Sequence, residues 1–300
     1  MIAEKPHIDV CVCTYKRPEM LTKLLGALGQ QQTGELFDYT IIVADNDRDE
    51  SGRSITTEFT RRLHIPVRYC VEPQQNIALV RNRALTNARG DFVAFIDDDE
   101  FPLEQWLLIL FRACVKYKVD GVLGPVKPYF EQEPPAWIRR GRFCERPEYR
   151  TGTIMQWEEC RTGNLLFKKE LIVGQKDVFR KEFGTGGEDK DFFMRMTESG
   201  RTFIWCNEAI VFESVPPSRC KTKYFIKRAL LRGTNIVKHP TGRLPNLARS
   251  AVAIPAYVLA LPFMLVAGQH HFIKYLIKLC DHVGRFLALV DLNPVRHREM

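Results

Sequence analysis

The stretch DFVAFIDDDEFP, residues 91–102, decides which class of fold the chain adopts. Its apolar run, residues 92–96, is followed at once by Asp97, Asp98, Asp99 and Glu100. A short apolar run bounded by charged residues is typical of a buried β-strand. Adjacent carboxylates repel one another and raise one another's pKa. We therefore expect a compensating positive charge where this strand ends.

Strand-like and helix-like segments alternate through the first half of the chain. Strands are predicted for IDVCVCT (8–14), YTIIVAD (39–45), VRYCVE (67–72), DFVAFID (91–97) and DGVLGPV (120–126). Helices are predicted to begin at Pro18, to cover NIALVRNRALTNARG (76–90), and to run from Pro102 to about Tyr117. This alternation predicts an α/β fold with a mostly parallel, Rossmann-like sheet and flanking helices.

Polar side chains end three of the predicted strands. Thr14 ends the first, Asp45 the second, and the acids 97–99 the fourth. Because ligands bind beyond the carboxyl ends of strands in such sheets, we expect one ligand-binding edge there. The chain has no GxGxxG after its first strand and no GxxxxGK[ST], which disfavours a dinucleotide-dependent oxidoreductase and a P-loop NTPase.

The net charge of +8 is concentrated in the last third of the 300 residues. Residues 201–300 carry 15 Lys and Arg against 5 Asp and Glu, whereas residues 1–200 carry 29 against 31. A basic region suggests a polyanionic partner: nucleic acid, anionic lipid or a diphosphate-bearing substrate. The nine cysteines lack zinc-type spacing, and we expect Cys11 and Cys13 to be reduced core residues of a cytosolic protein. The N-terminus lacks the apolar region of a signal peptide.

Residues 251–268 form an 18-residue segment without a charge. As a helix it would be about 27 Å long, close to the ~30 Å hydrocarbon core of a bilayer. Pro255 and Pro262 argue against a straight transmembrane rod. The next segment, HHFIKYLIKLCDHVGRFLALV, has an amphipathic pattern that suits a helix at a membrane surface. The alternative is a two-helix cap on a soluble core.

Two clusters of acids are candidates for chemistry. The acids 97–99 suit a hard divalent cation, although Asp99 could instead cap the following helix. The second cluster, in FGTGGEDKDFFMRM (183–196), places Glu188, Asp189 and Asp191 in the first turn of a helix. One of these carboxylates could act as a general base, and the alternative is plain helix capping.

Seven segments, spread over roughly residues 8–235, resemble the motifs of a known protein family. They are VCTYKRPEMLTKLL, IIVADND, QNIALVRNRAL, GDFVAFIDDDE, RTGNLLFKK, GGEDKDFF and VFESVPPSR followed by a basic helix. In this order they resemble the family 2 glycosyltransferases of the GT-A fold, and within them the bacterial exopolysaccharide enzymes related to succinoglycan glucosyltransferases. The resemblance implies inverting transfer of a sugar from a nucleotide-sugar, usually a UDP-sugar.

The resemblance also implies roles for individual residues. Asp189 would be the general base, with Asp191 as the fallback and Glu188 beside it. Asp97 would face the ribose and take part in binding the metal, Mg²⁺ or Mn²⁺, whose main ligand would be Asp99. The remaining residues implied to contact the nucleotide-sugar are Thr14, Tyr15, Arg17, Asp45, Asn76, Arg81, Asp98 and Arg228.

One departure from the family pattern concerns the metal. Many GT-A enzymes have a metal-binding His after the base helix, but here the sequence is Phe212-Glu213-Ser214. Either Glu213 takes a supporting role or the metal has fewer protein ligands. Arg219, Lys227, Arg228 and Arg232 offer an alternative, cationic contact for the diphosphate. Of the four acids in the opening stretch, we expect Asp98 and Glu100 to be solvated.

The sequence thus predicts a GT-A domain over residues 1–240, with a nucleotide-sugar half over about 1–127 and an acceptor half over about 128–240. Residues 241–300 are predicted to be membrane-associating helices, with contact through about 247–290 at the cytoplasmic face. The expected partners are a nucleotide-sugar and a lipid-linked saccharide acceptor, and no nucleic acid. The alternatives are a metal-dependent nucleotidyltransferase or nuclease, and a non-catalytic membrane scaffold.

Overall fold

A computed structural model describes residues 5–184, 186–238 and 243–290. The boundary predicted at residues 240–241 lies outside these residues. These residues form ten strands: β1 (His7–Thr14), β2 (Asp38–Asp45), β3 (Val67–Val71), β4 (Phe92–Asp97), β5 (Glu100–Pro102), β6 (Gly121–Leu123), β7 (Val126–Tyr129), β8 (Asn164–Lys168), β9 (Phe203–Trp205) and β10 (Val211–Ser214). Four of the five strands expected from the sequence are confirmed, and the fifth, predicted over 120–126, is confirmed only as β6, because Val126 begins β7 of a second sheet.

Seven strands form one sheet in the order β3-β2-β1-β4-β8-β6-β9. The neighbours β3, β2, β1 and β4 run parallel, as does the pair β6 and β9, whereas β8 is antiparallel to both β4 and β6. Strands β5, β10 and β7 form a small second sheet. The fold is therefore α/β with a mostly parallel central sheet, as predicted.

Nine α-helices accompany the strands in the described part of the chain. They are α1 (Pro18–Leu28), α2 (Arg53–Arg62), α3 (Ile77–Asn87), α4 (Trp106–Tyr117), α5 (Ala136–Gly141), α6 (Glu188–Glu198), α7 (Thr222–Lys238), α8 (Arg243–Ala267) and α9 (Gln269–Leu287). Apolar residues of α1, α2 and α4 belong to one core cluster, and those of α3 and α6 to another. Because the central strands contribute to both clusters, the sheet is covered on two faces.

Pro102 does not begin a helix, and that prediction was wrong. It ends strand β5, in which Phe101 lies opposite Phe212 of β10, and α4 begins only at Trp106. Asp99 consequently does not cap a helix, since the residue before α4 is Gln105. The expectation failed because the pairing partner of β5 lies about a hundred residues away in sequence, so no local pattern could indicate it.

The chain divides into two compact units, which are described separately. The first comprises residues 5–128, 146–184 and 188–214, and the second comprises residues 129–145, 186–187, 215–238 and 243–290. The first unit contains the seven-stranded sheet. The second contains α5, α7, α8 and α9, together with a small aromatic cluster around Ile138.

Helix α9 packs against both α7 and α8 in the second unit. Its buried positions are Ile273 and Gly284. Gly233 of α7 and Gly284 of α9 lie where the two helices cross, and a Cβ on either would collide with backbone of the other helix. Absence of side chains at both positions permits this close approach. Asp281 of α9 also holds Arg232 of α7 through two hydrogen bonds of 2.8 and 2.5 Å.

Helix α8 continues through Pro255 and Pro262. Its segment Asn246–Ala267 has a mean hydropathy of 2.0, and only 6% of it is buried. Among the described helices it alone is long and apolar enough to cross a membrane. Its outward side chains include Leu259, Phe263 and Val266, which are 72%, 73% and 91% exposed.

Candidate active site

The ends of β1 and β4 meet in a buried group of polar side chains. Thr14 Oγ1 donates a hydrogen bond of 2.9 Å to Asp98 Oδ2. One guanidinium nitrogen of Arg17 donates to both Asp98 Oδ1, at 2.9 Å, and Asp99 Oδ2, at 3.2 Å. Arg17 follows β1 and precedes α1, so the parallel pairing of β1 with β4 places its charge beside the acids. The positive partner expected from the sequence is therefore supplied in part by Arg17.

Asp98 and Glu100 are not solvated, and that prediction was wrong. They are 6% and 2% exposed. Burial raises the pKa of Asp98 to about 6, although Arg17 and Thr14 oppose the shift. Burial raises the pKa of Glu100 as well, and the nearby Asp97 acts in the same direction. The error arose because the residues that enclose these acids come from distant parts of the chain.

Asp97 is the carboxylate that β4 presents to solvent, with 45% of its side chain exposed. Arg81 of α3 lies 3.6 Å from Asp97 Oδ1 and also donates to Glu188 Oε1 at the start of α6. Arg81 is itself buried, and these carboxylates raise its pKa against the effect of burial. One guanidinium thus links the acids after β4 to the acids that begin α6.

The three acids at the start of α6 have different environments. Glu188 is buried against Arg81. Asp191 is 1% exposed and accepts hydrogen bonds from Arg180, at 3.2 Å, and Arg195, at 2.9 Å. Both guanidiniums stabilise the carboxylate and occupy its oxygens, so Asp191 does not suit the fallback role of base. Asp189 is half-buried, and its carboxylate is the best placed of the three to meet a substrate.

Two residues expected to contact the nucleotide hold loops together. Asp45 is fully buried and accepts hydrogen bonds from the amides of Asp47 and Gly52 and from the Tyr69 hydroxyl. Asn76 caps α3 by accepting from the amides of Ala78 and Leu79. The Asn76 amide also donates to the carbonyl of Lys181 at 2.9 Å, which ties α3 to the segment before α6.

The remaining expected contacts lie in two places. Tyr15 is half-buried in the turn after β1, beside Thr14 and Arg17. Arg228 belongs to the second unit, where its guanidinium lies 3.2 Å from the Tyr224 hydroxyl. Its role as a nucleotide contact stays a prediction. Arg232, which was considered for the diphosphate, is instead engaged by Asp281.

Arg146 is a site residue that the sequence did not reveal. Strand β10 places Glu213 opposite Glu100 of β5, and like charges opposite each other are destabilising. Arg146 donates to Glu213 Oε2 at 2.5 Å, and Glu100, Asp97 and Asp99 also raise its pKa. Glu213 is thus paired with Arg146, and its supporting role toward a metal stays a prediction. The Arg-rich composition of residues 128–161 was a signal, but it did not indicate which arginine enters the site.

The acids after β4 suit a divalent cation. Within the residues that the structure describes, no group of three or more His, Cys, Asp or Glu side chains has the arrangement of a metal site. Mg²⁺, however, commonly binds through one or two carboxylates together with substrate phosphates and water. Asp97 is exposed, and the buried Glu100 Oε1 nearby has no hydrogen-bond partner among the described residues. An exposed carboxylate beside a buried carboxyl oxygen without a hydrogen-bond partner fits a cation held by Asp97 and Asp99.

Comparison with known proteins identifies the family. Residues 9–174 match the profile named Glycosyl transferase family 2. The chain is 35% identical over 234 residues to the succinoglycan biosynthesis protein ExoM of Rhizobium meliloti, a match that covers 77% of this chain and 74% of ExoM.

Solved structures show the same fold. The mannosyltransferase PcManGT of Pyrobaculum calidifontis, in complex with GDP-Man and Mn²⁺, has a TM-score of 0.65 at 18% identity and covers 96% of this chain and 88% of its own. TarS 1–349 of S. aureus, in complex with UDP-GlcNAc, has a TM-score of 0.55 at 17% identity, with 78% and 67% covered. At these identities the likeness supports the GT-A fold alone. The chain belongs to the glycosyl transferase family 2 and is a glycosyltransferase.

Proposed function

We propose that the enzyme transfers a hexosyl group, with inversion, from a UDP-sugar to a hydroxyl of a growing, lipid-linked saccharide. The similarity to a succinoglycan biosynthesis protein supports a place in exopolysaccharide synthesis. The single observation that carries the mechanism is the bridge made by Arg81, which lies between Asp97 after β4 and Glu188 at the start of α6. Arg81 therefore contacts both Asp97, an acid proposed to bind the donor, and Glu188, the residue before the proposed base Asp189.

The chemistry needs one base and no enzymic nucleophile. The acceptor oxygen attacks the anomeric carbon from the face opposite the diphosphate, and the acceptor proton passes to Asp189. The bond between the anomeric carbon and the diphosphate oxygen breaks, and its electron pair leaves with UDP. The anomeric carbon develops oxocarbenium character, as in glycoside hydrolysis. The half-buried position of Asp189 suits this proton transfer, since a general base must come within hydrogen-bond reach of the hydroxyl.

Asp97 and Asp99 would hold Mg²⁺ or Mn²⁺, which when bound stabilises negative charge on the leaving diphosphate. Arg17 keeps Asp99 fixed, and Thr14 together with Arg17 keeps Asp98 fixed. Arg81 is aligned by Glu188 and places positive charge beside Asp97. These contacts fix the side chains at the ends of β1 and β4 before the diphosphate binds, so the carboxylates need not move on binding.

We further propose that the second unit attaches the enzyme to the cytoplasmic face of the membrane through residues of about 247–290. The support is the exposed apolar surface of α8 and the excess of Lys and Arg in the last third of the chain. A lipid-linked acceptor would be presented at that surface. The family assignment leaves no support for a nuclease or for a non-catalytic scaffold.

A panel of nucleotide-sugars tests the proposal. Thermal unfolding of the full chain is measured with each donor, with Mg²⁺, with Mn²⁺ and with EDTA. Because a ligand that binds only the folded state stabilises it, a UDP-sugar should raise the Tm in the presence of metal. The effect should disappear in Asp97→Asn and persist in Asp49→Asn, a change at an exposed position. Equal stabilisation of both variants would contradict the proposed donor site.

A further inference from the structure

A cavity of about 190 Å³ lies in the first unit beyond the end of β6. It is smaller than the roughly 300 Å³ at which pockets for drug-sized ligands begin, so it suits a ligand the size of one sugar ring. Side chains of the segment 146–161 form much of its wall, and Trp205 of β9 completes it.

The wall combines aromatic and polar groups. The rings of Tyr149 and Trp205 meet edge to face with centroids 5.3 Å apart. Around them are Arg146, Glu158, Glu159 and Arg161. A sugar ring has an apolar face of C–H groups and a rim of hydroxyls, and a pocket of aromatic and polar side chains matches both. Burial and a hydrogen bond with Glu159 raise the pKa of Tyr149 to about 12, so its hydroxyl remains protonated.

The cavity is connected to the base helix. The Lys190 ammonium donates to the backbone carbonyl of Glu158, and Lys190 directly follows Asp189. Burial lowers the pKa of Lys190, and the neighbouring Arg161 lowers it further, whereas Asp189 raises it. The wall of the cavity is therefore tied to helix α6 at the residue that follows the proposed base.

The cavity is also connected to the acids after β4. Arg146, which lines the cavity, is the residue that donates to Glu213 and feels the charges of Asp97 and Asp99. The wall of this cavity thus contacts both parts of the proposed site: Arg146 links it to the acids after β4, and Glu158 links it to helix α6, which carries the proposed base.

We infer that this cavity is the subsite for the uncharged acceptor sugar that supplies the attacking hydroxyl. The inference rests on the proposed function. Its two arginines are balanced by two glutamates, so the lining offers hydrogen bonds without the net positive charge that a sugar acid would require. Tyr149 and Arg161 determine binding of this sugar, and Trp205 shapes the floor.

The test uses the full chain in detergent with methyl glycosides as probes. Glucose, galactose and mannose provide the uncharged probes, and glucuronic acid provides the charged one. Binding is titrated by saturation-transfer NMR for the wild type, Tyr149→Phe, Arg161→Gln and the control Arg150→Gln. Arg150 is an exposed arginine of the same segment that does not line the cavity. Losing one hydrogen bond from a charged group should raise the Kd roughly tenfold.

The expected result is that at least one uncharged glycoside binds the wild type and Arg150→Gln alike, and binds Arg161→Gln about tenfold and Tyr149→Phe about fivefold more weakly. Failure of every uncharged glycoside to bind, equal binding to all four proteins, or a preference for the glucuronide would overturn the inference. Calorimetric binding of UDP with Mg²⁺ is measured on the same samples. Failure of the wild type to bind UDP with Mg²⁺ would instead contradict the proposed donor function. Failure of the acceptor subsite can therefore be distinguished from failure of the proposed function.

Discussion

At the level of single residues, the fold holds several carboxylates of the site close to one another. Asp98, Asp99 and Glu100 are buried one after another, and arginines from separate segments compensate them. A buried ion pair is expensive to break, because removal of one partner leaves the other charge without compensation. The arginines that face these acids are consequently structural as well as functional.

Arg17→Gln should destabilise the fold, because Asp98 and Asp99 would lose the guanidinium that pairs with both. We expect a loss of about 3 kcal/mol in the free energy of unfolding, as for other broken buried pairs. Urea denaturation measures it, with Arg48→Gln at an exposed position as the control. A change within 0.5 kcal/mol of the control, roughly the scatter of surface substitutions, would show that Arg17 is not the compensating charge.

Gly163→Ala should impair binding of a metal-bound nucleotide. A Cβ at this position would lie 2.7 Å from Glu100 Oε1 and 3.1 Å from Asp97 Oδ2, so a carboxylate must move. We expect UDP to bind about tenfold more weakly in Mg²⁺, a change of about 1.4 kcal/mol. Gly26→Ala is the matched control, because no atom lies within 4 Å of its added Cβ. Unaltered UDP affinity in Gly163→Ala would place the nucleotide elsewhere.

Which site residues could be predicted depended on how local their environment is. Thr14 and Asp97 were accessible to prediction, because a polar residue at a strand exit is visible in the sequence itself. The burial of Asp98 and the loss of Asp191 as a base were not. Both depend on arginines brought close by the fold, Arg17 for the first and Arg180 and Arg195 for the second.

At the level of elements, apolar patterns indicated about half of the described strands and several helices. Pro18 begins α1 as predicted, because proline at a first helical position lacks only an amide that would have no partner. Short strands were harder, since β5 exists only through its pairing with β10. The sequence predicted an amphipathic helix for α9 but not its buried positions, Ile273 and Gly284, because these depend on packing against α7 and α8.

Gly284→Ala should weaken the second unit, although alanine favours an isolated helix over glycine by up to about 1 kcal/mol. The added methyl would meet the Leu230 carbonyl of α7, which is backbone and cannot rotate away. We expect a loss of about 1–3 kcal/mol, typical of overpacking. Hydrogen exchange of α7 and α9 reports it. Slower exchange in Gly284→Ala would mean that the gain from helix propensity exceeds any steric cost where α7 and α9 cross, and that the close contact is absent.

For the whole molecule, the net positive charge and the exposed apolar side chains of α8 both lie in the last third of the sequence. Six large apolar side chains of α8 are exposed, and exposed apolar residues concentrated on one element mark interaction sites. Basic side chains attract anionic lipid headgroups, and neighbouring apolar side chains can enter the bilayer, so this combination suits an anionic membrane surface.

Phe263→Glu should reduce membrane binding, because its side chain is 73% exposed on α8. A charge in the hydrocarbon costs about 2.5–3.5 kcal/mol by insertion scales, so partitioning should fall more than tenfold. Flotation with liposomes that contain anionic lipid measures the bound fraction. Val115→Glu, on exposed α4 surface of the first unit, is the control. Equal flotation of the two variants would argue that α8 does not contact lipid.

We propose that this glycosyltransferase uses Asp189 as the base that activates the acceptor hydroxyl. The most direct measurement compares Asp189→Asn with Asp177→Asn, a change at an exposed aspartate before α6, in transfer rate and in UDP affinity. General-base catalysis is worth about 10²–10⁴ in rate, so Asp189→Asn should lose at least a hundredfold in kcat while it binds UDP normally. Wild-type turnover by Asp189→Asn would contradict the account.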